Sequence, residues 1–128
     1  MKIICLDFDG VIHSYEKGWQ DGSIYGTLTP GFTAWAKEAR LRFDLHIYSS
    51  RSRQPEQRYA MFEWLRKQFA LEMSEDEALL LALSFKVSDT KPPAFLTIDD
   101  RAITFKGSWS DSALALDAID NFKPWNNK

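Results

Sequence analysis

Ile3-Ile4-Cys5-Leu6-Asp7-Phe8-Asp9-Gly10-Val11 decides how this chain is read. Four apolar residues in succession, with no polar alternation, fit a short strand buried on both faces, as in a parallel sheet. The strand stops abruptly at two aspartates and a glycine. Two other short strands also end in polar residues. Asp44 to Tyr48 closes in Ser49-Ser50-Arg51, and Ala94 to Ile98 ends in Asp99-Asp100.

Helical spacing fills most of the intervals. Thr29-Pro30-Gly31 opens a helix to about Arg42, with Thr29 as cap and Phe32, Trp35, Ala36 and Ala39 on one face. Pro55 to about Leu71 carries Tyr59, Phe62, Leu65 and Phe69 at helical spacing. Ser74-Glu75-Asp76-Glu77 reads as a capping box before a helix that carries Leu79, Leu80 and Leu83. Phe85 to Val87 fits an edge strand, and Ile103 to Phe105 one more strand. Asp111 begins a last helix through about Phe122, and residues 123–128 read as a frayed tail. Val11 to Leu28, with Gly18, Gly22 and Gly26, is a loop or irregular hairpin.

Alternating strands and helices predict a parallel sheet covered by helices. The expectation is therefore one α/β domain over 1–128, a three-layer Rossmann-like fold with a mainly parallel sheet. Ligands in such folds bind at the carboxyl ends of the strands. Asp7, Asp9, Ser49, Ser50, Asp99 and Asp100 collect there.

Composition agrees with a soluble domain: 128 residues, 45% hydrophobic, 27% charged, net charge −2. No basic run marks a nucleic-acid tail, so bulk electrostatics do not indicate nucleic acid as a partner, although a small phosphorylated substrate remains open. Cys5 is the only cysteine, which excludes an intrachain disulfide and suits a cytoplasmic protein. The apolar start is broken at Asp7, too early for a signal peptide, and no stretch approaches membrane-spanning length.

Asp7, Asp9, Asp99 and Asp100 in one pocket would repel each other unless a cation joined them. All are hard oxygen donors, and His13 and His46 form no nitrogen cluster, so Mg²⁺ is favoured over zinc.

These motifs resemble those of the haloacid dehalogenase superfamily. Asp7-Phe8-Asp9-Gly10-Val11 resembles its first motif, Ser49 after Leu45-His46-Ile47-Tyr48 its second, and Ile98-Asp99-Asp100-Arg101 its fourth. A lysine just before the last pair resembles the third. Lys91-Pro92-Pro93-Ala94 leads into the strand as in 5′-deoxyribonucleotidase-like members, which favours Lys91 over Lys86. The bare Asp99-Asp100 pair lacks the more widely spaced acid of many relatives.

The resemblance implies a Mg²⁺-dependent phosphohydrolase acting on phosphate monoesters. Asp7 would be the nucleophile, Asp9 the acid and base, and Ser49 and Lys91 the phosphoryl contacts. Asp7, Asp9 (through its backbone carbonyl), Asp99 and Asp100 would hold the metal. The interval from Val11 to Pro30 is too short for a cap domain, which implies a capless member with a short flap. The partner would be a phosphorylated small molecule, a nucleotide or a larger phosphorylated substrate. Two alternatives stand beside it: a polynucleotide end-processing phosphatase, and a non-catalytic relative that binds a partner.

Other residues rank lower. His13, close behind the first motif, would line the pocket or lie on the loop surface, and the surface reading is favoured. Arg51 and Arg53 would touch substrate or pair with surface carboxylates. Arg101 orders the Asp99-Asp100 turn. Tyr15, Trp19 and Tyr25 either form an aromatic wall or pack the loop down.

Overall fold

The computed structural model describes residues 1–126. Four strands, β1 (Ile3–Leu6), β2 (Asp44–Ile47), β3 (Phe85–Val87) and β4 (Leu96–Ile98), form an all-parallel sheet in the order β3-β2-β1-β4. The helices are α1 (Phe32–Ala39), α2 (Pro55–Ala70), α3 (Glu75–Leu83) and the short α4 (Leu116–Asp120). The architecture is α/β with helices flanking a parallel sheet, compatible with a Rossmann-like arrangement. No helix among the described residues is long and apolar enough to cross a membrane.

Topology explains which face is covered. The chain steps the same way from β1 to β2 and from β2 to β3. The right-handed crossover rule then places α1 and the α2–α3 pair on one face. Ile4, Leu6, Leu45, Ile47 and Phe85 point to that face and share a core with Phe32, Ala36, Met61, Leu65, Phe69, Ala78 and Leu81. Within it the rings of Phe32 and Phe69 stack, and Phe85 lies tilted against both. The return from β3 to β4 has no helix. Its segment, 88–95, lies against the opposite face, where Ser88 bonds the His46 ring and Pro92 and Cys5 are buried.

The apolar reading of β4 as a buried strand is corrected. Leu96 is 52% and Ile98 36% exposed. The helices roof β1 to β3 and leave this edge strand outside. An apolar run fixes the strand but not its place in the sheet.

Other boundaries also move. Thr29 does not cap α1: its hydroxyl donates to the Val11 carbonyl, and Gly31, with a positive φ, occupies the cap position. On α2 the buried stripe is Met61, Trp64, Leu65 and Phe69, so Tyr59 faces solvent. On α3 the inward stripe is Ala78, Leu81 and Ala82, two alanines and one leucine, while Leu79, Leu80 and Leu83 are exposed. Close packing of α2 on α3 favours that choice, because small side chains let two helices approach. Ser74 does accept from the Glu77 amide, as the capping sequence predicts.

Ile103 to Phe105 forms no strand, and the last helix shortens to a 3₁₀ turn at Ser112–Leu114 and α4. Residues 123–126 are not frayed. Pro124 is buried, the Trp125 indole donates to the Gly10 carbonyl at 2.6 Å, and the Asn126 amide donates to Ser14 at 3.2 Å. Asn127 and Lys128 lie outside the described residues.

Candidate active site

The first motif continues β1 into a tight turn. The Phe8 carbonyl accepts from the amides of Val11, Ile12 and His13, a helix-like turn that stacks residues 9 and 13 on one side. Gly10 has φ +83°, and a Cβ there would collide with the Asp100 carboxylate. Both constraints require glycine. The first and last motifs are thus in direct contact.

Asp7, Asp99 and Asp100 each offer a carboxylate oxygen, and these oxygens lie within 4.8 Å of one another. Asp99 Oδ1 accepts from the Arg101 amide at 2.8 Å. Asp100 Oδ1 is buried without a hydrogen-bond partner. Burial and the charges of Asp99, Asp100 and Asp9 push the Asp7 carboxyl up to about 7, against a hydrogen bond from the Phe8 backbone. Burial, with the Asp99 charge, also raises Asp100. An orphaned buried carboxylate oxygen and two carboxyls driven towards protonation fit a site suited to a hard cation.

Asp9 stands apart from this cluster. Its Oδ1 accepts from His13 Nδ1 at 2.9 Å and its Oδ2 from Arg51 Nε at 2.7 Å. Burial favours the neutral form, but these hydrogen bonds and the Arg51 charge outweigh it and hold Asp9 below the ordinary carboxylate range.

His13 corrects the expectation of a surface histidine, since it is fully buried. Its Nε2 accepts from the Gly26 amide at 2.9 Å, so Nδ1 carries the proton and donates to Asp9. A Cβ on Gly26 would press into that ring. Arg51 is likewise buried, at 2% exposure, and pairs with Asp9 rather than with a surface carboxylate.

A cleft of about 320 Å³ opens over the strand ends, lined by Asp7, Asp9, Tyr15, Ser49, Ser50 and Arg101. Ser49 caps the 3₁₀ turn Ser50–Arg53, accepting from the Arg51 amide at 3.2 Å, and lines the cleft. Tyr15 enters the cleft from a left-handed backbone conformation, φ 56°. Arg101 does order the turn through its amide, and the residue also lines the cleft, so turn-ordering is not its only place in the site.

Neither lysine lines this cleft. Lys86 is exposed on β3, with Nζ 3.8 Å from Asp44 Oδ1 at the amino end of β2. Lys91 is exposed on the 88–95 crossover, where its charge reaches Cys5. Tyr25 packs the loop down, its hydroxyl donating to Gly18 and accepting from the Lys17 amide, both at 2.8 Å. Trp19 lies under the Arg51 guanidinium, 4.7 Å from it.

His13 and Arg51 are the partners that sequence reading misses. The signal for His13 is its position four residues after Asp9, within a turn that brings the two together. For Arg51 it is the turn after Ser49, which folds the side chain back over the strand ends. Comparison with protein-family models, with curated proteins and with solved structures finds no match.

Proposed function

We propose that the chain is a Mg²⁺-dependent phosphohydrolase of the haloacid dehalogenase type, cleaving phosphate monoesters through an aspartyl-phosphate on Asp7. The observation that carries this reading is the convergence of Asp7, Asp99 and Asp100 beside a polar cleft containing Asp9 and Ser49. Four carboxylates there face the guanidinium groups of Arg51 and Arg101, a balance that would repel a phosphate dianion.

Asp7, Asp99 and Asp100 would hold Mg²⁺, with the Asp9 backbone carbonyl as a further ligand by the family resemblance. Bound there, the ion offsets the carboxylate charge and that of the phosphoryl group. An Asp7 oxygen attacks phosphorus as the bond to the leaving oxygen breaks, and that oxygen takes a proton from Asp9. Water then gives a proton to Asp9 and attacks phosphorus. The Asp7–phosphorus bond breaks, inorganic phosphate leaves, and both aspartates return to their starting forms. Ser49 donates to a phosphoryl oxygen and Arg101 supplies positive charge at the cleft; the family resemblance adds Lys91, whose side chain lies outside the cleft lining.

The test is a panel of phosphorylated metabolites, nucleotides and 3′- or 5′-phosphorylated oligonucleotides, with Mg²⁺ and with chelator. An acid-quenched reaction should carry one phosphate on Asp7, seen by intact mass and peptide mapping. Asp7→Asn should carry none. A label on Asp9, or phosphoenzyme in the Asp7 variant, overturns the roles. Turnover of the oligonucleotides alone would select the end-processing alternative.

A further inference from the structure

The loop that rises over the cleft, residues 14–27, is tied at its base by the Ser14 amide to the Thr27 carbonyl, 2.9 Å. Two buried side chains hold its interior, and both also hold Asp9. Arg51 donates through Nε to Asp9 Oδ2 and through Nη1 to the Gly22 carbonyl, and its guanidinium stacks on Trp19. His13 donates to Asp9 Oδ1 and accepts from Gly26, with its ring against Tyr25 at 5.0 Å and Tyr15 at 5.9 Å. Each oxygen of one carboxylate is therefore connected, through one side chain, to a different part of one loop.

A purely structural account of Arg51 is poor. Burying a guanidinium is costly, and a buried ion pair contributes little net stability against an apolar replacement. Here Nη2 is buried with no acceptor, which adds to that cost. A side chain retained at such expense is better explained by what it orients.

We propose that Arg51 and His13 are positioning residues that couple this flap to the Asp9 carboxylate, so that closure over a substrate aligns Asp9 with the leaving oxygen. The proposal rests on the reading of Asp9 as the acid and base. It assigns the flap a role in one step, leaving-group departure, rather than in phosphate binding. Trp19 is 51% exposed and bonds to neither Asp9 nor the metal ligands, yet it belongs to the coupling through Arg51.

Two measurements test this. The first compares phenyl phosphate, whose leaving group needs a proton, with 4-nitrophenyl phosphate, which needs it far less. Trp19→Ala and Arg51→Met should lower kcat for phenyl phosphate by about tenfold or more beyond any loss on the nitrophenyl ester, with KM changed less than about threefold. Arg51→Lys should recover part of the difference. An unchanged ratio of the two substrates in Trp19→Ala overturns the coupling.

The second measurement needs no turnover. If Asp9 and the flap share Arg51, then Asp9→Asn loosens the flap, and trypsin should cut after the exposed Lys17 several-fold faster than in wild type. Intact circular dichroism and an unchanged cutting rate at Lys37 would serve as controls. Cutting at Lys17 at the wild-type rate refutes the coupling even if the protein hydrolyses neither ester. Absent turnover with faster cutting would overturn the phosphohydrolase reading and leave the mechanical link supported.

Discussion

Asp7→Asn should make the metal-free protein more stable while abolishing turnover. Asp7 is driven from the ordinary 3.8 to about 7, chiefly by burial and then by the neighbouring carboxylates. At about 1.36 kcal/mol for each tenfold change, that span amounts to about 4 kcal/mol against the ionised form. The cleft is open to water and can relax, so about 2 kcal/mol is the expected gain. That is roughly 8 °C in Tm for a chain of this size. Asparagine keeps an oxygen for the Phe8 amide. The sign follows from proton linkage: the folded state binds this proton more tightly than the unfolded state, so the penalty that Asp7 places on the wild type falls as pH drops from about 8 towards 4. The advantage of the variant should therefore be large at pH 8 in chelator and small at pH 4.5, where wild-type Asp7 is already protonated. Excess Mg²⁺ should narrow it at pH 8 by stabilising wild type alone. Thermal melts in these three conditions decide the matter. A variant no more stable than wild type at pH 8 in chelator, or a gap that persists at pH 4.5, refutes the crowding of charge at Asp7.

Chelation should abolish phosphatase activity and Mg²⁺ should raise the wild-type Tm; Asp99→Asn, scored by melt and by turnover, should lose both responses. Lys91→Ala should lower kcat/KM at least about tenfold, and Lys86→Ala less than twofold, because Lys86 sits by Asp44 at the far end of the sheet; a larger loss at Lys86 reverses the assignment. Gly10→Ala should cost about 2 kcal/mol in a denaturant melt and weaken Mg²⁺ binding, since φ is +83° there and the new methyl strikes Asp100.

The parallel sheet was legible because its signal is local. Ile3–Leu6, Asp44–Ile47 and Leu96–Ile98 are short strand-forming segments, each followed by polar residues, and a crossover topology sends those ends to one edge. That reasoning brings Asp7, Ser49 and the Asp99-Asp100 pair together from the sequence alone. It did not reach what depends on position within the sheet or on irregular backbone. β4 is exposed because helices roof only the strands they connect. Leu79, Leu80 and Leu83 of α3 face outward because Ala78 and Ala82, with Leu81, suit the contact with α2. His13 is buried because a turn around the Phe8 carbonyl carries it inward, and no periodicity encodes such a turn. The docking of Trp125 on Gly10 joins residues 115 apart in sequence, which no local pattern anticipates.

The two aspartates of the first motif differ by environment alone, and the difference bears on their proposed roles. Without a cation, Asp7 is partly protonated near neutral pH and Asp9 is held ionised by His13 and Arg51. Attack on phosphorus requires the opposite of both. For Asp7 the remedy is a cation among Asp7, Asp99 and Asp100, which favours the charged form and leaves a nucleophile. Asp9 in its observed state is suited to taking a proton from water, the second half of the reaction. To give a proton in the first half it must lose part of its support, and both of its contacts, Arg51 and His13, lead to the loop over the cleft. A phosphate dianion drawn into the cleft adds negative charge beside Asp9 and favours its protonation, while also offering Arg51 another acceptor. Substrate and flap thus act on the same carboxylate in the same direction. This gives a physical reason for carrying a buried arginine between the flap and the acid.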